Sequence, residues 1–416
     1  MKQGVRWVFW TMLVFSFGLG AWASGTLVEE QGARASAQGG AFVARADDAS
    51  AIFYNPAGLA FQGTSFMGGF SFINEHMKYE GPAGNTTGPE KTYWPAYMYL
   101  NYRTPGCVSF GVGLYAPHAL ATEWDEDWAG SAISKRTMQR AIYTTPTIAW
   151  RLGDKWALAV TANFVYSTIY LRQSIFFPSI PYPNPPLNRT PPQAMGVINA
   201  TSNGVGWGFG AMYKPSKHWQ IGFNFREKVD LKYSGEVKFY RIPTDPDFTP
   251  MFPRTRGGSA MSLPRVYTLG AAYMADKWSL EVDVTRQEWS VFDTLTMNFW
   301  PNHGQVQDKV VPQNWKDINK YKVGFEYRLS KKWSYGLGYF YDESPVPDEY
   351  ASPILPDSNR NGFTGGINWQ GHKFGLQSYL MYLPFQNKNV PATTPFLPGT
   401  YKAYAWLGGL SVTYKF

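Results

Sequence analysis

The chain ends in Tyr401-Lys-Ala-Tyr-Ala-Trp-Leu-Gly-Gly-Leu-Ser-Val-Thr-Tyr-Lys-Phe416, the stretch that decides its fold class. Every second residue counted back from the end is aromatic or apolar, apart from one glycine: Phe416, Tyr414, Val412, Leu410, Gly408, Trp406 and Tyr404. The residues between them are mostly small or polar. A transmembrane strand alternates in this way, because one face meets lipid and the other meets a polar interior. A soluble lipocalin-like barrel would alternate too, so the pattern first of all indicates a barrel strand.

The same alternation recurs along the whole chain. It predicts about fourteen strands, near residues 64–77, 92–103, 107–117, 137–152, 155–172, 204–214, 217–240, 263–275, 277–298, 317–329, 333–343, 362–370, 373–384 and 401–416. An even number suits an antiparallel barrel with both ends on one side. We therefore predict an all-β fold, a transmembrane antiparallel β-barrel that occupies residues 64–416.

The composition excludes several other classes of protein. Charged residues make up only 16% of the chain, against ~25% in a typical soluble domain. The chain holds 41 Gly, 30 Pro and a single cysteine, Cys107. One cysteine excludes a disulfide scaffold and a thiolate metal cluster, and the many glycines, prolines and aromatic rings disfavour a helical bundle. We expect no cofactor and no bound metal.

The first residues predict export from the cytoplasm. They read MKQGVRWVFWTMLVFSFGLGAWASG, with Lys2 and Arg6 before an apolar run and an Ala21-Trp22-Ala23 cleavage site after it. This is the layout of a secretory signal peptide over residues 1–23. A transmembrane anchor is the alternative, but it needs ~20 apolar residues. Removal of the signal lowers the formal charge from +8 to +6.

Turns and loops differ in length. Four short polar turns each lead into a tryptophan, namely Trp156, Trp219, Trp278 and Trp333. They are typical of one interfacial aromatic belt, the alternative being four unrelated core residues. Long connections near 173–203 and 240–263 instead place apolar side chains between prolines, which is unusual for mere linkers. They supply our candidate substrate-binding residues, which are Phe176, Phe177, Tyr182, Phe248, Met251, Phe252 and Arg254.

The segment over residues 24–63 does not alternate and is rich in small residues. Small side chains permit close packing inside a barrel whose lumen would otherwise hold water, so we predict an N-terminal hatch, or plug, over 24–63. Asp47 and Asp48 are expected to pair with Arg34 or Arg45 rather than to bind a metal.

Several motifs resemble the FadL family of outer-membrane transporters, which includes the aromatic-hydrocarbon branch typified by TodX. The motifs lie in family order over almost the whole mature chain: Asp47-Asp48 with Asn55-Pro56-Ala57, Leu120-Ala-Thr-Glu-Trp124, Asn203-Gly-Val-Gly-Trp-Gly-Phe209, Leu263-Pro264, Trp289-Ser290 and Asp342-Glu-Ser-Pro-Val-Pro347. The resemblance implies a hatch motif at Asp47, Asp48, Asn55, Pro56 and Ala57. It also implies capture of a hydrophobic substrate by outer loops, an internal pocket, and lateral exit at a kinked third strand.

The predicted third strand contains a candidate for that kink. Pro117 has no N–H group and fits only a strand edge or a bulge. If two neighbouring strands separate there, the wall gains a hole that opens toward lipid. The alternative is that Pro117 simply ends the strand. His118, next to it, is expected either to line the gap or to serve a structural role.

Fatty-acid members of the family are expected to place basic residues near the substrate carboxylate. At the two matching positions this chain has Gln173 and Val311, with Arg172 next to the first and Lys309 two residues from the second. Adjacent strand residues face opposite ways, so Arg172 is not an automatic substitute for Gln173. These changes weaken the fatty-acid assignment and favour a neutral hydrophobe.

We therefore predict a transporter of long-chain fatty acids or similar hydrophobic small molecules in the outer membrane of a Gram-negative bacterium, by passive diffusion. Monoaromatic or alkane hydrocarbons are the alternative cargo. A general porin would lack an N-terminal plug. An outer-membrane lipase, and enzymes in general, are disfavoured because the five histidines show no catalytic spacing and no G-x-S-x-G motif occurs. We expect a monomer that contacts outer-membrane lipid and lipopolysaccharide but no nucleic acid.

Overall fold

The computed structural model describes residues 25–175, 194–242, 252–253, 255–301, 306–394 and 396–416. Fourteen antiparallel strands form one closed barrel, which confirms the predicted fold class. Single segments form β1 (Ser65–Gly81), β3 (Val108–Glu123), β4 (Arg136–Leu152), β5 (Trp156–Ile175), β6 (Ala194–Tyr213), β11 (Trp333–Asp342), β12 (Arg360–Gln370) and β14 (Gly399–Lys415). Each strand pairs with the next one along the chain, and β14 pairs with β1 to close the wall.

The remaining strands are built from two or three segments. They are β2 (Gly84–Thr87, Lys91–Tyr93 and Ala96–Arg103), β7 (Trp219–Arg226 and Val229–Tyr240), β8 (Thr255–Leu263 and Val266–Met274), β9 (Trp278–Gln287 and Thr294–Trp300), β10 (Lys309–Pro312 and Ile318–Arg328) and β13 (Phe374–Pro384 and Lys388–Val390). A single 3₁₀ turn, Trp289–Val291, fills the break in β9.

Alternation of side chains gives the wall two different faces. In β9 the outward residues are Trp278, Leu280, Val282 and Val284, whereas the inward ones are Ser279, Glu281, Asp283 and Thr285. The outer face is therefore apolar and the inner face polar, as a barrel in lipid requires. No helix among the described residues is both long and apolar enough to cross a membrane.

The breaks in four neighbouring strands lie at one level of the wall. Val266 of β8 pairs with Arg226 of β7 on one side and with Gln287 of β9 on the other, and Gln287 also pairs with Ile318 of β10. Each of these four residues borders the break in its own strand, so the four breaks are neighbours. Six tight turns lie at one end of the barrel, over residues 104–107, 153–155, 214–218, 275–277, 329–332 and 371–373. We call the part of the barrel between the breaks and these turns the short-turn half. The part above the breaks is the long-loop half.

Residues 25–63, here called the N-terminal segment, lie inside the barrel. The segment contains two four-residue helices, α1 (Ala33–Ser36) and α2 (Ala51–Tyr54), and a 3₁₀ helix over Pro56–Phe61. Its backbone lies so close to the wall that a Cβ atom at Gly222 would collide with the carbonyl group of Val43. Almost every residue from 25 to 60 is buried, so most of the segment packs against the inside of the wall.

Candidate functional site

The long-loop half encloses an apolar cavity of about 150 Å³. Apolar cavities of about this size bind a benzene-sized ring. The cavity is lined by residues of β4, β5, β6, β8 and β9, by two residues from the break in β10, by the loop between β11 and β12, and by single residues of β3 and the N-terminal segment. The lining residues are Thr26, Leu120, Thr137, Met138, Gln139, Ile169, Tyr170, Leu171, Ile198, Ala200, Gly257, Gly258, Ser259, Met261, Phe292, Leu295, Met297, Phe299, Gln313, Trp315, Val346, Tyr350, Ser352, Ile354 and Leu355.

None of the described lining residues carries a charge. The polar groups that remain are hydroxyl and amide groups of Thr, Ser, Tyr and Gln side chains. A cavity of this chemistry gains free energy by taking apolar surface out of water. It offers no cation to an ionised carboxylate, whose burial without a partner is costly.

The two positions at which the sequence lacks the expected basic residues belong to the same inner surface. Val311 lies opposite Leu295 in the ladder between β9 and β10, and directly opposed side chains share a face. Gln173 lies two residues beyond Leu171 on β5 and therefore has the same orientation. Both positions continue the cavity wall with neutral side chains.

Lys309 and Arg172, the basic residues near these two positions, lie in different surroundings. Lys309 is opposite Met297 and thus on the cavity side of its strand, although it is exposed and not part of the lining. Arg172 lies instead 2.5 Å from a carboxylate oxygen of Glu126 in the loop between β3 and β4. Lys309 therefore lies on the cavity side of its strand but outside the lining.

Aromatic rings form the boundary between the cavity and the N-terminal segment. The ring of Trp315 lies 5.0 Å from that of Trp289 and 4.8 Å from that of Phe292, both edge-to-face. Gly25 lies against Trp289 with φ +59°, so both its backbone conformation and the adjacent ring require glycine. These rings fix the position at which the N-terminal segment meets the cavity.

The third strand is interrupted at the predicted proline. Tyr115 pairs with Tyr143 and His118 with Ala141, so Ala116 and Pro117 together face a single residue of β4. This is a β-bulge, and the strand continues beyond it to Glu123. The alternative that Pro117 ends the strand is therefore wrong.

The ladder between β2 and β3 ends below the bulge. It runs from Arg103–Ser109 to Met98–Leu114, and none of the described residues of β2 continues it to residues 115–123, although the ammonium group of Lys91 lies 3.5 Å from the carboxylate of Glu123. In that part of β3, Ala119 and Ala121 share a buried cluster with Tyr93, while Leu120 packs with the cavity's aromatic rings. Both faces of this stretch are buried, and on its other side it remains paired with β4 from His118–Ala141 to Glu123–Arg136.

Backbone groups of the bulge form hydrogen bonds with the N-terminal segment. The amide of Val28 donates to the carbonyl oxygen of Pro117 (2.7 Å), and the amide of Ala119 donates to that of Thr26 (2.8 Å). The hydroxyl of Thr26 lies 3.1 Å from Nδ1 of buried His118. The start of the N-terminal segment is thus hydrogen-bonded to β3 at the bulge, next to the cavity.

The predicted hatch residues lie in the short-turn half and connect the segment with the wall. Asp47 pairs with Arg34 (2.7 Å), and Arg34 with Glu326 of β10 (2.7 Å). Asp48 accepts the amide N–H of Ser50 (2.9 Å) within the segment. Asn55 precedes Pro56 and accepts the amide of Ala57 (3.2 Å), and it donates to the carbonyl oxygen of Ala211 on β6 (3.0 Å).

Buried ion pairs complete the contact between segment and wall. Glu29 lies 2.8 Å from the ammonium groups of both Lys320 and Lys322. Burial alone would raise the pKa of Glu29, but these two charges outweigh it and hold that pKa well below its ordinary value. Arg45 is 2.7 Å from Glu281 and 3.1 Å from Glu326. The N-terminal segment is therefore joined to the wall of the short-turn half by paired charges, whereas the described lining of the cavity above carries none.

Of the candidate substrate-binding residues, only Phe252 is among the described residues. Its ring lies 5.2 Å from that of Phe239, which does not line the cavity. Phe176, Phe177, Tyr182, Phe248, Met251 and Arg254 lie outside the described residues. Most of the lining could not be anticipated from the sequence, although Leu120 and Val346, each part of a family motif, line the cavity and Trp289-Ser290 lies beside it.

Known proteins resemble this chain over nearly its whole length. The family described as outer membrane protein transport protein (OMPP1/FadL/TodX) matches residues 15–416. The long-chain fatty acid transport protein of Escherichia coli O6:H1 (strain CFT073) is 22% identical over 351 residues, 78% of each chain. That of Salmonella typhi is 22% identical over 396 residues, 89% of each chain.

Two solved structures share the fold. A Pseudomonas aeruginosa FadL homologue has a TM-score of 0.81 at 18% identity, covering 94% of this chain and 100% of the other. The Ralstonia pickettii toluene transporter TbuX has a TM-score of 0.70 at 17% identity, with the same coverage. From the family match and the fourteen-stranded barrel, the chain belongs to the OMPP1/FadL/TodX family of outer-membrane transport proteins.

Proposed function

We propose that this transporter carries neutral hydrophobic molecules, such as monoaromatic or alkane hydrocarbons, across the outer membrane by passive diffusion. The single observation behind the choice of cargo is the uncharged cavity. A hydrocarbon gains ~0.8 kcal/mol for each CH₂ group that leaves water. No described lining residue offsets the cost of burying a carboxylate.

The route that we propose ends where the ladder between β2 and β3 is interrupted, and we propose this gap as the opening toward lipid. Leu120 lines the cavity and belongs to the stretch of β3 beyond the bulge, which pairs with β4 and not with β2, so the cavity and the gap share a strand. A hydrophobic molecule that leaves there enters lipid and avoids water. Release needs no energy input as long as metabolism removes the product.

The N-terminal segment is proposed to act as the hatch of the barrel. Its buried ion pairs with β9 and β10 and its close packing against the wall support a closed short-turn half. A hatch-closed barrel should show no large steady pores in a planar bilayer. Steady steps on the nanosiemens scale would instead support the general-porin alternative.

Long-chain fatty acid is the second candidate cargo. Two of the similar proteins are named as long-chain fatty acid transport proteins, and one similar structure as a toluene transporter. The observation that favours a fatty acid in this chain is Lys309, which faces the cavity side of β10. If a carboxylate remains at the mouth while its chain enters the cavity, Lys309 is the residue that would bind it.

Uptake of both cargo classes by the same cells distinguishes the two candidates. Gram-negative cells without their own importer would express the protein, and heat-modifiable gel mobility would establish that it is folded. We expect faster uptake of labelled toluene and little gain for labelled oleate. Restored oleate uptake that is lost in Lys309→Gln would overturn the neutral assignment.

A double variant tests the chemical reason directly. Gln173→Arg combined with Val311→Lys adds two cations to the cavity side of β5 and β10, and we expect it to raise oleate uptake relative to toluene uptake. The matched control, Lys232→Arg combined with Lys238→Arg, changes two exposed positions of β7 without changing the charge. An unchanged oleate-to-toluene ratio in the double variant would contradict the claim that the missing cations set the cargo.

A further inference from the structure

The short-turn end of the barrel carries a large excess of positive charge. Its six turns, the strand residues next to them and the C-terminus contain eleven basic residues against two acidic ones, Asp154 and Asp276. We call the basic set the basic crown; it consists of Arg103, Arg151, Lys155, Lys214, Lys217, Lys277, Arg328, Lys331, Lys332, Lys373 and Lys415. Every turn is flanked by or contains at least one member.

This excess accounts for the charge of the whole mature chain. The crown and its two acids leave nine positive side-chain charges, or eight with the terminal carboxylate of Phe416, whereas the side chains of residues 24–416 together carry a formal charge of only +6. The rest of the mature chain is therefore slightly acidic. The net positive charge of the protein is concentrated at one end of the barrel.

Backbone hydrogen bonds between neighbouring turns arrange the crown as a ring. The amide of Lys214 donates to the carbonyl oxygen of Lys155, and that of Lys415 to that of Lys373, each at 2.7 Å. The amide of Arg328 donates to the carbonyl oxygen of Lys277 in the same way, also at 2.7 Å. Members on successive turns are consequently neighbours around the rim.

The charges of the crown are largely unpaired. Within the part of the chain that the structure describes, Arg151 is the one member with a carboxylate partner, Asp154 at 2.5 Å. Arg328 donates instead to a backbone carbonyl oxygen of Asp276, and the ammonium group of Lys214 lies over the ring of Phe61. Five members line the opening of the lumen at this end, beside acidic residues of the N-terminal segment and β10; they are Lys214, Arg328, Lys331, Lys332 and Lys415. Lys155, Lys217, Lys277 and Lys373 are exposed outside that opening and can bind an external anion.

A belt of outward aromatic rings lies directly beside the crown. Trp156, Trp219, Trp278 and Trp333 are between 38% and 49% exposed, and Trp219 and Trp278 both contact the ring of Tyr273. Three of these tryptophans directly follow a lysine of the crown. Tryptophan belts lie at the level of lipid headgroups, so the charges next to them lie at phosphate height.

We propose that the basic crown binds the phosphate groups of anionic phospholipids in the leaflet that faces the periplasm. Short turns of such barrels face the periplasm, and basic residues beside a membrane surface attract anionic lipids. The ring shape and the adjoining belt favour lipid, which surrounds the barrel on all sides, over an acidic protein, which would cover one part of the rim. This inference does not depend on which cargo the cavity takes.

Lipid association in reconstituted membranes tests the proposal. The folded protein would be placed in phosphatidylcholine bilayers, and electron spin resonance would compare association of spin-labelled phosphatidylglycerol and spin-labelled phosphatidylcholine. We expect a preference of about fivefold or more for phosphatidylglycerol, the effect of one basic residue close to an anionic surface. The preference should fall at 1 M salt, where the screening length is only ~3 Å.

A pair of charge-matched variants locates the effect. The crown variant combines K155Q, K217Q, K277Q and K373Q, and the control combines K232Q, K238Q, K309Q and K316Q in the long-loop half. All eight lysines are exposed, and both variants lose four charges. We expect the preference to fall toward equality in the crown variant and to persist in the control, with heat-modifiable mobility establishing that both are folded. Equal association in the unmodified protein, or equal loss in the two variants, would overturn the proposal, and the first result would favour an acidic macromolecule as partner.

Discussion

The contact between the N-terminal segment and the wall in the short-turn half differs in charge from the cavity of the long-loop half, although both lie inside one wall. In the short-turn half, buried Glu29 and Arg45 of the N-terminal segment are paired with charges on β9 and β10. In the long-loop half, the cavity has no charged lining residue among those described. Buried ion pairs require a partner in a defined position, whereas apolar contact is non-directional. The buried ion pairs therefore keep the N-terminal segment in one arrangement, whereas the apolar cavity can accept molecules of different shape.

The largest expected effect comes from breaking the polar interior. Arg45→Met leaves Glu281 and Glu326 buried without this partner, and loss of one member of a buried pair costs about 3–5 kcal/mol. We expect the N-terminal segment to loosen, with faster amide hydrogen exchange over residues 25–62 and open-pore events in planar bilayers.

The control is Arg151→Gln at the exposed pair with Asp154, which should cost no more than about 1 kcal/mol. Equal exchange rates in the two variants would mean that the buried pairs do not hold the segment.

The next effect concerns the connection between the cavity and lipid. Deletion of Pro117 removes the extra residue of the bulge, so β3 can continue along β2 and close the opening. We expect cargo uptake to fall by about tenfold or more, equivalent to ~1.4 kcal/mol, while the barrel still folds.

Pro146 of β4 provides the control for this deletion. The ladder between β4 and β5 keeps its register on both sides of Pro146, so Pro146→Ala should leave uptake unchanged. Full uptake by the folded Pro117 deletion would exclude this opening as the exit.

The smallest expected effect belongs to a partly exposed pair in the long-loop half. Burial alone would raise the pKa of Glu126, but the hydrogen bond from Lys135 and the charge of Arg172 hold that pKa below its ordinary value. The stabilisation is present above the unfolded pKa near 4.5 and is lost as the pH falls through the lower folded value.

Because Glu126 is 58% exposed, Glu126→Gln should change the unfolding free energy by only about 0–1 kcal/mol. The urea midpoint at pH 7 measures this change. A loss as large as that in Arg45→Met would contradict the contrast between the two halves.

The sequence predicted the short-turn half well because lipid imposes its pattern. Where one face of a strand meets lipid, apolar and polar residues must alternate, and β9, β11 and β14 lie close to the predicted ranges. Above the membrane this constraint ends. The predicted strand near 204–214 accordingly begins ten residues later than β6, and the one near 263–275 omits most of the first segment of β8.

The cavity was harder to predict because closure of the barrel assembles it from distant residues. Met261, Leu295 and Leu355 meet across three separate parts of the chain, and no local pattern connects them. The bulge at Pro117 was anticipated from the missing N–H group, but its pairing with Thr26 and Val28 was not. The absence of cations at Gln173 and Val311 could be inferred from the sequence, because the family resemblance supplies the two positions at which a basic residue is expected.

The position of a bound neutral molecule is the most direct test of the central claim that the cavity holds uncharged cargo. Crystals of the protein soaked with iodobenzene would report it through the anomalous signal of iodine. We expect a peak inside the cavity, within contact distance (~4 Å) of Met261 or Phe292. Iodine found only on the outer wall, or among the ion pairs of the short-turn half, would contradict the account.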